Sequence, residues 1–308
     1  MSSTPPVTVV LCTRNRSAAC VVALRSLLAM KPAAAAIIVV DQSDVESTDV
    51  ISALRECASA TTRYLRDDAG GLSRARNHAL SECTTDIVAF TDDDCTVPVG
   101  FIGMVKDACR EWPRAGLIFG NVHPGPHDPD AGLIPFTERK ESIVANAIPH
   151  QRHLGAMGAC MVVRRDILSH RATFDSLLGA GARLHAAEDT DLILRCLGAG
   201  IEVVETPSVG VVHHGFRTWG DAETLAHHYL FGTAAVYAKH VRLHPGPTLS
   251  LLLHIGARWL RGTSRVSYFG NRTRRGARLA SFLRGFSRGM LVPIDRATGL
   301  FLTAGPRH

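Results

Sequence analysis

Three adjacent carboxylates, Asp92, Asp93 and Asp94, follow the apolar run Ile87-Val88-Ala89-Phe90, with Thr91 before them and Cys95 after. Like charges this close repel, so a strand that ends in packed acids needs a metal or a tightly bound cationic group to neutralise them. Oxygen donors of this kind suit a hard ion, Mg²⁺ or Mn²⁺. A solvated acidic turn capping the next helix would use the same residues. A second acid group, Glu188-Asp189-Thr190-Asp191, opens the run Leu192-Ile193-Leu194-Arg195-Cys196-Leu197. Acids in a first helical turn complement the macrodipole, and acids beside apolar neighbours can be raised toward the pKa of a general base. Asp191 and Arg195 are spaced i,i+4 as a structural ion pair. His213-His214 closes the run Val209-Gly210-Val211-Val212. One of them could give an imidazole to the same metal, which Mn²⁺ tolerates better than Mg²⁺. Fifteen histidines are scattered through the chain, so a structural role stays open for the pair.

The elements that must position these groups read as alternating strands and helices. Strands are expected at Val7 to Cys12, Ile37 to Val40, Arg63 to Leu65, Ile87 to Phe90 and Gly116 to Val122. Helical spacing falls on Ser17 to Met30, Ser47 to Ser59, Leu72 to Glu82 and Pro98 to Trp112. That order implies a mostly parallel sheet flanked by helices, with ligands beyond the carboxyl ends of the strands. Those ends carry Thr13-Arg14-Asn15-Arg16, Asp41-Gln42-Ser43-Asp44, Asp67-Asp68 and Asp92-Asp93-Asp94. An acid-rich pocket with nearby arginines suits a metal-bound anionic ligand. Residues His123 to Pro149 read as an irregular excursion that could lie over the site. Apolar text returns at Gly155 to Val163, then a helix from about Ala187 to Leu197 and strands at Ile201 to Val204 and Val209 to Val212.

The 308 residues, 46% hydrophobic and 20% charged, can bury one large core or two modest ones. The first residues have no basic and apolar leader, and no apolar run approaches the roughly 20 residues of a membrane span, so a cytoplasmic chain is expected. Eight cysteines lack any Cys-x-x-Cys pair and indicate neither a zinc site nor a disulfide framework. The net charge of +6 is uneven. From Gly256 to His308 there are eleven Arg, no Lys and the single acid Asp295. Taken as a helix, Gly276 to Leu291 puts Leu279, Phe282, Leu283, Phe286 and Met290 on one face, with Arg274, Arg278, Arg284 and Arg288 opposite. This basic amphipathic helix either docks on the core of the fold or lies peripherally on an anionic membrane surface on the cytoplasmic side. Nucleic acid is not expected as a partner, because no stacking platform accompanies the arginines.

In sequence order, Thr13 to Arg16, Val40-Asp41-Gln42-Ser43, Gly71-Leu72-Ser73-Arg74-Ala75-Arg76-Asn77, Thr91 to Cys95, Phe174-Asp175 with Leu178-Gly179, Glu188 to Leu192 and His213-His214 resemble the family 2 glycosyltransferases. The match runs from about residue 7 to 215, and its acid cluster resembles the Asp-x-Asp motif of the GT-A fold. The resemblance implies a GT-A-like catalytic domain over 1–240, with a nucleotide-binding half about 1–122 and an acceptor half about 150–240. Residues 241–308 would form a basic helical extension. It implies a nucleoside-diphosphate sugar donor, a UDP-sugar first and a TDP- or GDP-sugar otherwise, and an unidentified hydroxyl acceptor. Thr13, Arg14, Arg16, Asp41, Asp68, Arg74, Asn77, Asp92 and Asp93 would contact the donor. Asp94 with His213 or His214 would hold Mn²⁺ or Mg²⁺. Asp189, with Glu188 beside it, would be the catalytic base of an inverting displacement. One departure stands at Gly158-Ala159-Cys160, where many relatives have Gly-Ala-Asn, so sugar contacts in that loop are expected to differ. Two other functions use related parts. A sugar nucleotidyltransferase would need a Gly-rich triphosphate loop, which is absent after the first strand. A non-catalytic polyanion- or membrane-binding protein with a degenerate pocket would have no physical need to keep Asp94, Asp189 and His213-His214 together.

Overall fold

Runs rich in Val and Ile make the strands, because a sheet covered on both faces buries successive side chains on opposite sides. In the computed structural model, which describes residues 5–56, 61–260 and 275–303, the first half alternates strands and helices. These are β1 (Val7–Thr13), α1 (Ser17–Leu28), β2 (Ala36–Asp41), α2 (Thr48–Arg55), β3 (Thr61–Arg66), α3 (Leu72–Glu82) and β4 (Ile87–Asp92). Then come β5 (Cys95–Thr96), α4 (Phe101–Glu111) and β6 (Ala115–Pro124). The sequence places all of these but the short β5, with boundary differences. For example, α4 begins at Phe101 because Pro98 to Gly100 form a turn closed by the Phe101 amide on the Pro98 carbonyl. Cys57, Ser59 and the expected end of the second helix lie outside the described residues, as do Met1 to Thr4 and Arg274.

The second half supplies β7 (Gly132–Leu133), β8 (Ile143–Ala145), β9 (Cys160–Arg164), α5 (Arg165–Leu168), α6 (Glu188–Gly198), β10 (Glu202–His213) and β11 (Arg217–Thr218). Three helices follow, α7 (Trp219–Leu243), α8 (Pro245–Leu260) and α9 (Arg275–Leu291). The two strands expected at 201–204 and 209–212 are one strand, β10, whose register shifts between Glu205 and Gly210 against β6. Buried Glu205 sits at that irregularity, paired with Arg139 at 2.9 Å and accepting the Gly155 amide at 2.9 Å. This ion pair ties the 123–149 excursion to the sheet. Helices α7 and α8 were not signalled by periodicity, since α7 buries residues around much of its circumference.

The main sheet runs β3-β2-β1-β4-β9-β6-β10-β5. The pairs β2/β3, β1/β2, β1/β4 and β6/β10 are parallel, while β9 enters antiparallel between β4 and β6. From β1 the chain moves outward to β3 and then returns to β4 on the other side. The carboxyl ends of β1 and β4 are therefore a topological switch point, where a crevice opens. Thr13 pairs in register with Asp41, and Cys12 with Asp92. One buried cluster holds Val9, Leu24 and Phe101, and the other holds Val10, Phe90, Leu192, Leu251, Val292 and Phe301. The residues of α8 and those after α9 thus share a core with the sheet. Among the described residues, no helix is long and apolar enough to cross a membrane.

Helix α9 covers the expected basic amphipathic segment and packs on α7 through glycines. A Cβ on Gly285 or Gly289 would lie 2.1 Å from the Phe231 carbonyl oxygen or 2.3 Å from that of Ala235, so only glycine lets the two backbones come this close. Arg242 then donates to the Gly289 and Val292 carbonyls at the end of α9. Of the expected apolar face, Leu279, Leu283 and Met290 remain exposed.

Behind the acids of α6 lies a second buried ion network. Lys239, fully buried, holds Asp175 at 2.7 Å and Asp191 at 2.6 Å, and Asp191 also binds Arg195 at 3.0 Å and His240 at 3.1 Å. The expected Asp191–Arg195 pair is thus one edge of a larger cluster joining α6, α7 and the 174–178 turn. Removing one member of a buried pair leaves an uncompensated charge, at a cost of about 3–5 kcal/mol. Lys239→Ala is therefore expected to lower the free energy of unfolding by about that amount in urea denaturation.

Candidate active site

The crevice at the switch point is a cavity of about 1210 Å³ whose lining includes Thr13, Arg14, Arg16, Asp92, Asp93, Asp94, Glu188, Asp189 and His213. Asp94 is buried, with Arg16 Nη2 at 2.5 Å, His213 Nε2 at 3.2 Å and Arg217 Nη2 at 3.9 Å. Burial pushes its carboxyl up, but the hydrogen bond from His213 and the Arg16 guanidinium outweigh this and hold it below the ordinary carboxylate range. His213 reaches Asp94 because β5 pairs antiparallel with the end of β10 and sets His213 opposite Cys95.

The tautomer of His213 is set by its surroundings. Its Nδ1 lies 2.8 Å from the Pro135 carbonyl, which only accepts, so Nδ1 carries a proton. Nε2 then either carries a second proton and donates to Asp94, whose carboxylate outweighs burial and pushes the ring's pKa up, or is a lone pair aimed at that carboxylate. Two acceptors face each other unless a proton or a cation sits between them, which is the arrangement a metal-ligating imidazole has with its second nitrogen held by a carbonyl. Ligand atoms of Asp94, Cys95 and His213 lie within 4.8 Å of one another. Burial pushes the Cys95 thiol up, and Cys95 belongs to the hydrophobic core, so the hard oxygen of Asp94 and the imidazole of His213 form the fitting donor set. His214 points elsewhere: it is exposed and bonds Thr96 Oγ1 at 2.9 Å.

Asp93 turns the other way and accepts from Thr13 Oγ1 at 2.7 Å and from Arg16 Nη1 at 2.8 Å. Burial pushes it up to about 6. Asp92 shares Arg76 with Glu188, at 3.4 Å and 3.0 Å respectively. Arg76, barely exposed, also stacks over Phe90 and Phe174. It lies within the Gly71–Asn77 segment of the resemblance, which assigns it no contact. The signal for it was present, because Ser73, Arg76 and Leu80 are the buried face of α3 at i, i+3 and i+7, whereas Arg74 faces solvent.

Glu188 and Asp189 open α6 after Ala187, whose backbone is left-handed at φ 72°. For a residue with a Cβ this conformation costs about 1 kcal/mol, and it turns the chain so that both carboxylates enter the cavity at a helix N-terminus. Asp189 is half-buried and accepts from the Gly158 amide at 3.2 Å and the Thr190 amide at 2.6 Å. Burial, reinforced by Asp189, pushes Glu188 up to about 7 despite Arg76.

Several residues that the resemblance assigns to the donor do not line this cavity. Asp41 is fully buried and saturated by the Ser43 amide and the Tyr64 hydroxyl, with Arg66 at 3.6 Å. Exposed Asp68 pairs with Arg66. Asn77 bonds both the amide and the carbonyl of Phe174, clipping α3 to the 174–178 turn. None of Asp41, Asp68, Arg74 and Asn77 is among the lining residues, whereas Gln42, Arg76 and Arg217 are. Arg14 lines the cavity and sits near Asp44. The departure at Cys160 falls on the core side: a Cβ on Gly120 would lie 2.5 Å from its sulfur, while Gly158 and Ala159 line the cavity.

A doubly covered, mostly parallel sheet with acids and arginines gathered at its switch point is the GT-A arrangement of glycosyltransferases. A mannosyltransferase from Pyrobaculum calidifontis, solved in complex with GDP-Man and Mn²⁺, shares the fold at a TM-score of 0.55 and 17% identity, over 92% of this chain and 88% of that one. Residues 8–171 match the family model of Glycosyl transferase family 2, and the chain belongs to that family. It is 27% identical to the pre-mycofactocin glycosyltransferase of Mycobacterium tuberculosis over 82% of this chain and 51% of that protein. It is also 27% identical to the N-acetylglucosaminyl-diphospho-decaprenol L-rhamnosyltransferase of the same organism, over 47% of this chain and 52% of that protein. The chain spans about half the length of these curated relatives.

The state of Glu188 gives a pH test. An acid raised from 4.5 to about 7 binds more protons folded than unfolded, so its contribution favours the fold below about pH 4.5 and is lost as the pH rises through about 7. Wild type is expected to lose up to about 3 kcal/mol more than Glu188→Gln between pH 4.5 and 8, measured by urea denaturation across that range.

Proposed function

We propose that this chain transfers a glycosyl group from a nucleoside-diphosphate sugar to an acceptor hydroxyl, with inversion and with the help of a divalent cation. The observation that carries the reading is the convergence, in one cavity, of the Asp94–His213 pair and the Asp189 carboxylate. Membership of Glycosyl transferase family 2, and a structural neighbour complexed with GDP-Man and Mn²⁺, support the same reading.

Asp94 and His213 would hold the cation, Mn²⁺ suiting a mixed oxygen and imidazole set better than Mg²⁺. Bound there, the cation supplies neutralisation of the charge that develops on a departing diphosphate. Thr13, Arg14 and Arg16 border the same end of the cavity, where guanidinium groups suit a nucleotide's anionic groups. Asp189, held by the Gly158 and Thr190 amides, takes the proton from the acceptor hydroxyl as that oxygen attacks the anomeric carbon. Those two amides fix its orientation. Glu188, engaged by Arg76 at 3.0 Å, stands beside it as a positioning group for Arg76 and Asp92.

Calorimetric titration with UDP, TDP, GDP and CDP, with and without Mn²⁺, tests the reading. One nucleotide is expected to bind only with the metal, and Asp94→Ala is expected to abolish that binding. Absence of binding under every condition would sink the transferase reading. Asp189→Asn is expected to keep nucleotide binding while losing roughly 10² to 10⁴ in turnover. Product NMR that shows the donor's own anomeric configuration would refute inversion. A Cβ on Gly215 would lie 2.3 Å from Asp94 Oδ2 and 2.6 Å from His213 Nε2. Gly215→Ala is therefore expected to weaken Mn²⁺-dependent nucleotide binding by about tenfold or more, with the far-UV circular dichroism spectrum unchanged.

A further inference from the structure

The cavity is larger than the donor chemistry requires. Ligand sites commonly measure about 300–1,000 Å³, and this one reaches about 1210 Å³ because it continues past Asp189 between the three C-terminal helices. Its far half is walled by Tyr229 and Leu230 of α7, Leu252 and Ile255 of α8, and Phe282 and Leu283 of α9. Single exposed leucines are ordinary, but Leu279 and Leu283, 44% and 56% exposed, line the same cavity as the candidate base. The contact that fixes α9 to α7 is made by the separate glycine edge at Gly285 and Gly289. Part of the apolar face of α9 is thus left lining a channel that runs to Asp189. Among the described residues no acidic side chain lines this far half, whereas Arg152 and Arg278 do, which disfavours a cationic ligand and suits a neutral or anionic one.

We propose that the acceptor is an amphiphile, with its hydroxyl-bearing head at Asp189 and an apolar alkyl or isoprenoid chain laid between α7, α8 and α9. The proposal rests on the transferase reading, since the hydroxyl must meet the base. Burying each methylene of such a chain is worth about fourfold in affinity, so the channel selects acceptors by chain length while the head is read at the acids.

The test uses the full chain and n-alkyl glucosides from methyl to dodecyl, each kept below its micelle concentration. Their binding is measured by calorimetry with the nucleotide and Mn²⁺ present, alongside nucleotide binding alone. Affinity is expected to rise about fifteenfold for every two methylenes buried. Leu283→Glu is expected to remove that dependence, while Leu253→Glu, on α8 and 74% exposed but outside the lining, keeps it. Should Leu283→Glu fail to fold, Leu279→Gln on the same wall replaces it. Nucleotide binding with no dependence on chain length, or a dependence that survives Leu283→Glu, overturns the amphiphile proposal and leaves the transferase reading standing. Chain-length-dependent binding without any nucleotide binding overturns both, because the channel would then hold an apolar ligand that is not an acceptor. A dodecyltrimethylammonium probe that binds as well as the dodecyl glucoside would overturn the charge argument and the proposal with it.

Discussion

Five carboxylates, those of Asp92, Asp93, Asp94, Glu188 and Asp189, border one cavity, and the structure is organised around keeping that many like charges together. Two buried or half-buried guanidiniums do most of this. Arg76 spans Asp92 and Glu188, and Arg16 spans Asp93 and Asp94. The rest of the charge is handled by protonation and by neighbours: Glu188 is pushed up by burial, and Asp94 is held down by His213 and Arg16. An acid cluster balanced in this way keeps one strongly ionised oxygen donor at the cavity edge without tearing the surrounding fold apart.

The support behind the site follows the same principle. Lys239 neutralises Asp175 and Asp191, so the first turn of α6 is anchored from below by a charge network while its upper face carries Glu188 and Asp189. Arg139 with Glu205 performs the equivalent task on the other side, fixing the excursion whose Pro135 carbonyl orients His213. Buried ion pairs are weak contributors to net stability, but here each joins segments far apart in sequence, so their consequence is geometric. The tautomer of His213 and the direction of Asp189 both depend on backbone groups that these pairs hold in place.

Much of the fold was legible in the sequence because its strands are buried on both faces and announce themselves as β-branched runs, and because acids and arginines follow those runs at their carboxyl ends. The acid groups at 92–94 and 188–191 and the His213-His214 pair stand out by residue type and by position after a strand or before a helix, while the choice of Asp94 and Asp189 among them comes from the resemblance. Asp41 could not be separated from them in that way. It too follows a strand, but its carboxylate is turned inward and saturated by Tyr64 and Ser43, a difference of side-chain direction that spacing does not encode. The choice between Arg74 and Arg76 was present in the helical period of α3. The long α7 has no sequence signature, because a helix packed on several sides has no clean polar face.

What the sequence determined by itself was local: which segments become strands or helices, where the acids stand relative to them, and that a basic amphipathic helix lies near the end of the chain. Tertiary structure decided everything that depends on pairing between distant segments. The antiparallel match of β5 with β10 selects His213 over His214, Arg76 reaches Glu188 across 112 positions, and the glycine edge of α9 settles on α7 and leaves leucines facing the cavity. The physical reason is that hydropathy period and propensity act over a few residues. Charge compensation and close backbone approach are satisfied only between elements that folding brings together.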